Sequence, residues 1–133
     1  MKNEDQLYMD LACRIAQQSH CERAKVGSII VKDNNIISYG YNGTPKGMCN
    51  CCEDEHGSTK SIVLHAESNA IIKAKKDIKG AKLYVTLSPC FECLKLIIQS
   101  GIKEVIYLND YRIIDHLPEF EDIIKIRKFK PKE

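Results

Sequence analysis

Apolar residues return every four positions at the start of the chain, where Leu7, Leu11 and Ile15 repeat with Ala12 and Ala16 beside them. That spacing predicts a helix with one apolar face through about Gln18. Asn3 is its expected N-cap, with Gln6 as capping-box partner. The period then changes. β-Branched runs at 26–31 and 36–39, separated by a turn at 33–35, read as the two strands of a hairpin. Helical periodicity returns at 65–76, and 82–87 alternates as a strand. Pro89 opens a helix over 90–99 that Ser100-Gly101 closes. A strand at 103–108, a short helix at 111–117 and a last strand at 122–129 complete the chain. The order α-β-β-α-β-α-β-α-β predicts a single three-layer α/β domain over residues 1–133, with no internal repeat or linker. Elements joined by helical crossovers should run parallel at one edge of its sheet.

Between the hairpin and the second helix, residues 40–61 hold four of the seven glycines, a proline and three of the seven cysteines, with no periodicity. A loop of that length in a compact domain implies a function. At 133 residues, 44% hydrophobic and 29% charged, the chain has the composition of a soluble globular domain. A formal net charge of +2 is too small to imply a polyanion such as duplex DNA. The one basic cluster, Lys125 to Lys132, reads as a solvated edge strand with a frayed tail as readily as a ligand surface. No apolar run approaches a membrane span, and the polar N-terminus is not a secretory signal. An odd cysteine count with CNCC and CFEC spacings fits metal ligation in a reducing cytoplasm better than a disulfide framework.

The strongest chemical signal is His65-Ala66-Glu67 followed by Pro89-Cys90-Phe91-Glu92-Cys93. Cys90 and Cys93 are three apart at the head of one helix, so both sulfurs project to one side, where the helix N-terminus favours thiolate. His65 heads the preceding helix. A helix of roughly 11 residues covers about 16 Å, and a six-residue strand returns about 20 Å. The round trip can bring His65 beside the cysteines. One imidazole and two thiolates leave a zinc ion one open position, the mark of a catalytic site where water is activated near neutral pH. Glu67, two residues from the ligand, is placed to carry protons without binding the metal. This pair of motifs is the known signature of zinc nucleobase deaminases.

A closer likeness follows from Val26-Gly27-Ser28-Ile29-Ile30-Val31, Gly40-Tyr41-Asn42-Gly43-Thr44-Pro45-Lys46-Gly47, His65-Ala66-Glu67-Ser68-Asn69-Ala70 and Tyr84-Val85-Thr86-Leu87-Ser88-Pro89-Cys90. In these stretches the chain resembles the deoxycytidylate deaminases, phage enzymes included, in register from about residue 5 to residue 112. The resemblance implies the three-layer α-β-α cytidine deaminase-like fold, with a five-stranded mixed sheet flanked by helices. It implies a homohexamer that converts dCMP to dUMP and ammonia in the cytoplasm, activated by dCTP with Mg2+ and inhibited by dTTP. His65, Cys90 and Cys93 would hold zinc and Glu67 would move protons. Asn42 would bond the sugar hydroxyl, and Tyr111 would help hold the nucleotide. Arg23, Lys25 and Arg112 are the candidates for its phosphate. The regulatory nucleotide would lie near Gly40, Tyr41 and Gly43.

The same resemblance implies a second, structural zinc on Cys21 and Cys51. The two histidines that complete it belong to an insertion that this chain mostly lacks, which leaves His56, His20 or Cys49 as substitutes. Two other readings share the main motif. A tRNA, nucleoside or free-base deaminase would carry the same metal site, but a tRNA enzyme needs a basic surface and stacking aromatics. The low net charge, the three phenylalanines and the lack of tryptophan argue against nucleic acid. A silent zinc-binding module would have lost the glutamate, and Glu67 is present.

Overall fold

The computed structural model describes residues 4–111 and 117–131. Helix α1 spans Glu4–Ala16, β1 Gly27–Lys32, β2 Asn35–Tyr41, α2 Ala66–Lys73, β3 Lys82–Leu87, α3 Phe91–Gln99, β4 Glu104–Asn109, α4 Leu117–Phe120 and β5 Lys125–Lys128. The strands form one five-stranded sheet in the order β2-β1-β3-β4-β5. β1 is antiparallel to both β2 and β3. β3, β4 and β5 run parallel, as helical crossovers require. The hairpin turns through Asp33 and Asn34, both at positive φ (51° and 62°), a conformation that Asp and Asn tolerate better than most residues.

Alternation along the strands sorts side chains onto two faces. Ile29, Val31, Tyr84 and Ile106 pack with Tyr8, Met9 and Ala12 of α1. Ile30, Leu83, Val85, Val105 and Tyr107 pack on the other face with Ala66 and Ala70 of α2 and Leu94 and Ile97 of α3. Helices on both faces of a mixed sheet give the expected layering.

Helix α1 departs from its predicted phase. Its buried side is Tyr8, Met9, Ala12 and Ala16, whereas Leu7 is 52% exposed and Leu11 and Ile15 lie at the margin. Gly27 explains the rotation, because a Cβ there would lie 2.1 Å from the Ala12 carbonyl oxygen and 2.6 Å from the Ala16 nitrogen. The helix backbone rests directly on β1 at Gly27, and at that contact only small residues, Ala12 and Ala16, can face the strand.

The C-terminal expectations shift as well. Tyr111 is not helical, the rest of the predicted 111–117 helix up to residue 116 lies outside the described residues, and α4 begins at Leu117. The last strand is shorter than the predicted 122–129.

Candidate active site

Two of the three predicted ligands occupy helix N-caps. His65 caps α2 with extended backbone (φ −80°, ψ 157°), and Cys90 caps α3 in the same way (φ −75°, ψ 170°). The sequence pattern makes each the first helical residue, and the structure puts each one position earlier. An N-cap side chain leaves the helix axis and can accept from the free N–H groups of the first turn. The Cys90 sulfur does this, taking the Cys93 N–H at 3.5 Å. His65 makes no such cap bond, and its ring turns to the sulfurs instead. His65 Nδ1 lies 3.1 Å from Cys93 Sγ and 3.4 Å from Cys90 Sγ.

These three residues form one of the two groups of metal-ligating side chains converging within 4.8 Å among the described residues. A tetrahedral zinc with bonds of about 2.0–2.3 Å sets its donors roughly 3.5 Å apart. The sulfur–nitrogen distances fit such an ion, and the donor set of one imidazole and two sulfurs is that of an open zinc site.

The charges support the same use. Hydrogen bonds from Cys93 and His65 pull the Cys90 thiol down to about 4 against the cost of its burial. A thiolate at a helix N-terminus is the ligand form of cysteine. Cys93 is pushed up by its bond to Cys90 and by burial. The bond to Cys90 raises His65. Glu67 sits on the first turn of α2 with only 4% of its surface exposed. Burial pushes its carboxyl up to about 7, against the opposing pull of its own backbone N–H and of His65. A carboxyl balanced near neutral pH can take a proton and give it back.

The frame that holds α2 was not legible as a motif. Ser28 Oγ donates to the Ala66 carbonyl at 2.9 Å and Ser38 Oγ to the Ala70 carbonyl at 2.7 Å. Asn69 Nδ2 reaches back to the Tyr41 carbonyl at 2.8 Å. Gly40, expected near a regulatory nucleotide, lies under α2, where a Cβ would meet the Ala66 carbonyl oxygen at 2.4 Å and the Ala70 nitrogen at 2.5 Å. Gly43 exchanges hydrogen bonds with Leu64, immediately before His65. Glycines and serines on the strands therefore set the depth and angle of the helix that carries Glu67 and is capped by His65.

Asn42 is buried and committed to backbone: Oδ1 accepts from the Val26 N–H at 2.9 Å, and Nδ2 donates to the Ala24 carbonyl at 2.7 Å. This clamps the segment carrying Arg23 and Lys25 against the strand that leads to Gly43. One Nδ2 proton remains for another acceptor. Arg23 is exposed, and its backbone N–H donates to Glu53. Lys25 Nζ donates to the Ser19 carbonyl at 2.6 Å. Tyr111 is 45% exposed, and its N–H donates to the buried Ser88 hydroxyl at 2.6 Å, two residues before Cys90. Arg112 lies outside the described residues. Thr44 Oγ1 is buried without a hydrogen-bond partner among the described residues. A cleft of about 400 Å³ opens between α1 and the ends of β3 and β4, lined by Cys13, Gln17, Lys25, Thr86 and Asn109; the metal ligands are not among its walls.

The expected second metal set is not assembled. Cys21 is disulfide-bonded to Cys52, not grouped with Cys51, and Cys51 is bonded to Cys49. His56 is exposed and faces Glu55 at 3.6 Å. The three cysteines of the CNCC spacing and Cys21, which the family resemblance placed on a second zinc, are thus paired with each other. Cys21 and Cys52 converge with Glu53, the other three-donor group among the described residues.

Residues 2–109 match the family model described as "Cytidine and deoxycytidylate deaminase zinc-binding region". The chain belongs to this family. It is 38% identical to the deoxycytidylate deaminase of Mycobacterium phage D29 over 77% of its own length and 92% of that protein's. It is 35% identical to that of Enterobacteria phage T4, over 88% of this chain and 82% of the relative. The Schizosaccharomyces pombe deoxycytidylate deaminase is longer, and the chain spans 45% of it. Among solved structures, the dCMP deaminase of cyanophage S-TIM5 in complex with dCMP and dUMP superposes with a TM-score of 0.90 at 44% identity, over 97% of this chain and 99% of that one. The five-stranded mixed sheet is thus the cytidine deaminase-like fold.

Proposed function

We propose that this chain is a zinc-dependent hydrolase that deaminates dCMP to dUMP and ammonia. The observation that carries the reading is the pairing of a His-Cys-Cys donor set with a buried carboxyl, Glu67, close enough for its charge to act on His65 and Cys93. Zinc held by His65, Cys90 and Cys93 would supply the Lewis acidity that makes water a nucleophile near neutral pH. Glu67 carries one proton from the attacking water to the ring nitrogen of cytosine, then a second from the resulting hydroxyl to the amine, which leaves as ammonia while the C4 carbonyl forms. Its balance near 7 suits both transfers. Asn42 offers its remaining Nδ2 proton to the sugar hydroxyl, and the 23–25 segment and Tyr111 close around the sugar phosphate. The dCMP- and dUMP-bound relative at 44% identity supports this choice of substrate.

Assembly as a homohexamer, activation by dCTP with Mg2+ and inhibition by dTTP belong to the same proposal. Sedimentation of the zinc-loaded chain, and dCMP kinetics with each nucleotide added, test them. The substrate itself is tested by ammonia release from zinc-replete protein offered dCMP, CMP, deoxycytidine, dCTP, guanine and a tRNA anticodon loop. dCMP is the expected best substrate. A folded, zinc-replete protein that leaves dCMP intact refutes the proposal.

A further inference from the structure

The long loop between β2 and α2 contains one acidic side chain, Glu53, that reaches across to the segment preceding β1. Glu53 Oε2 accepts two successive backbone N–H groups, those of Glu22 and Arg23, each at 3.1 Å. Two adjacent N–H groups turned toward one oxygen make an anion-binding concavity, and here the chain fills it with its own carboxylate. Glu53 is in turn held in place, bridged to Thr59 across the loop and adjacent to the Cys21–Cys52 bond. On the far side of the same segment, Asn42 fixes Ala24 and Val26. Ser19 Oγ accepts the Cys21 N–H and donates to the Asn42 carbonyl. Residues 19–26 are therefore strapped at both ends, and the attachment at Glu22 and Arg23 comes from Glu53. Through Asn42, Gly43 and Leu64 the strap is continuous with His65.

We infer that Glu53 is a positioning residue: its carboxylate sets the path of residues 22–25 and so the place of Arg23 and Lys25, the cations proposed above to take the nucleotide phosphate. The inference rests on the proposed action on dCMP. It also gives the loop a task, because without Glu53 the two N–H groups turn to water and the segment loses its fixed course before Ala24.

Steady-state kinetics on dCMP with Glu53→Ala, Glu53→Asp and Glu53→Gln, each checked for zinc content and melting temperature, test it. Glutamine keeps an oxygen acceptor at the same reach, and its KM should stay within about twofold of the parent. Alanine removes the acceptor and aspartate withdraws it by one methylene. Each should raise KM roughly five- to tenfold with kcat held within about twofold. If alanine fails to fold, aspartate decides the matter. A KM unchanged in the aspartate variant, or a fall in kcat at constant KM, overturns the assignment. So does equal damage in all three variants. A parent protein inactive on dCMP refutes the substrate reading instead, a result distinct from normal parent activity with indifferent variants.

Discussion

In the proposed reaction Glu67 can serve because two opposing demands meet in one side chain. Burial favours its neutral form, while the neighbouring His65 and the first-turn N–H favour the charged one. Replacing it by glutamine keeps shape and burial but removes the proton, so Glu67→Gln should retain zinc and lose about 10²–10⁴-fold in kcat. Ammonia release and metal analysis on the same sample read both quantities. Asn42 acts differently, since both ends of its amide are spent on backbone. Asn42→Ala leaves the Val26 N–H and the Ala24 carbonyl without partners, and should cost about 1–3 kcal/mol of stability by urea denaturation in addition to any loss of activity. His65, Glu67, Cys90 and Cys93 were legible in the sequence because local helix-start spacing fixes their geometry. The clamp by Asn42 was not, because its partners lie 16 and 18 residues away. The pairing of Cys52 rather than Cys51 with Cys21 was hidden for a similar reason: sequence does not say which of two neighbours in a loop points inward.

At the level of elements, helices α1 and α2 are seated by what the strands beneath them lack. Gly27 lets α1 touch β1, and Gly40 lets α2 touch β2. The apolar periodicity announced a helix over the first residues, but it could not show that a glycine in the next strand would select the alanine stripe over the leucine row. Since the Gly40 contacts are backbone atoms, no rotamer change relieves a new methyl group. Gly40→Ala should destabilise by about 1–3 kcal/mol and lower kcat as α2 lifts Glu67 and His65 off their positions. Thermal melting alongside dCMP turnover checks the pair of effects. A Gly40→Ala protein with unaltered stability would mean that the helix rests less closely on the strand than the structure shows.

Across the whole molecule, a charged network ties the N-terminal helix to the C-terminal strand. Arg127 donates to Asp5 at 2.8 Å and to the buried Glu104 at 2.6 Å, and the Tyr84 hydroxyl donates to Asp5 at 2.5 Å. Burial would raise the Asp5 carboxyl, but Tyr84 and Arg127 outweigh it and hold it below its ordinary 3.8. The folded value lies below the unfolded one. The contribution is therefore complete above 3.8 and is lost as pH falls through the lower folded value. Asp5→Asn should lower the urea midpoint at about pH 7 and lose less stability than the parent on going to about pH 3. The parallel edge of the sheet followed from the order of elements, whereas this long-range network left no trace in sequence spacing. The whole account depends most on how the metal is held. Diffraction at the zinc absorption edge from crystals of the active protein tests that directly. It should place the ion on His65, Cys90 and Cys93 with solvent at the fourth vertex. A fourth protein side chain on that ion, or active protein with no zinc between these residues, would contradict it.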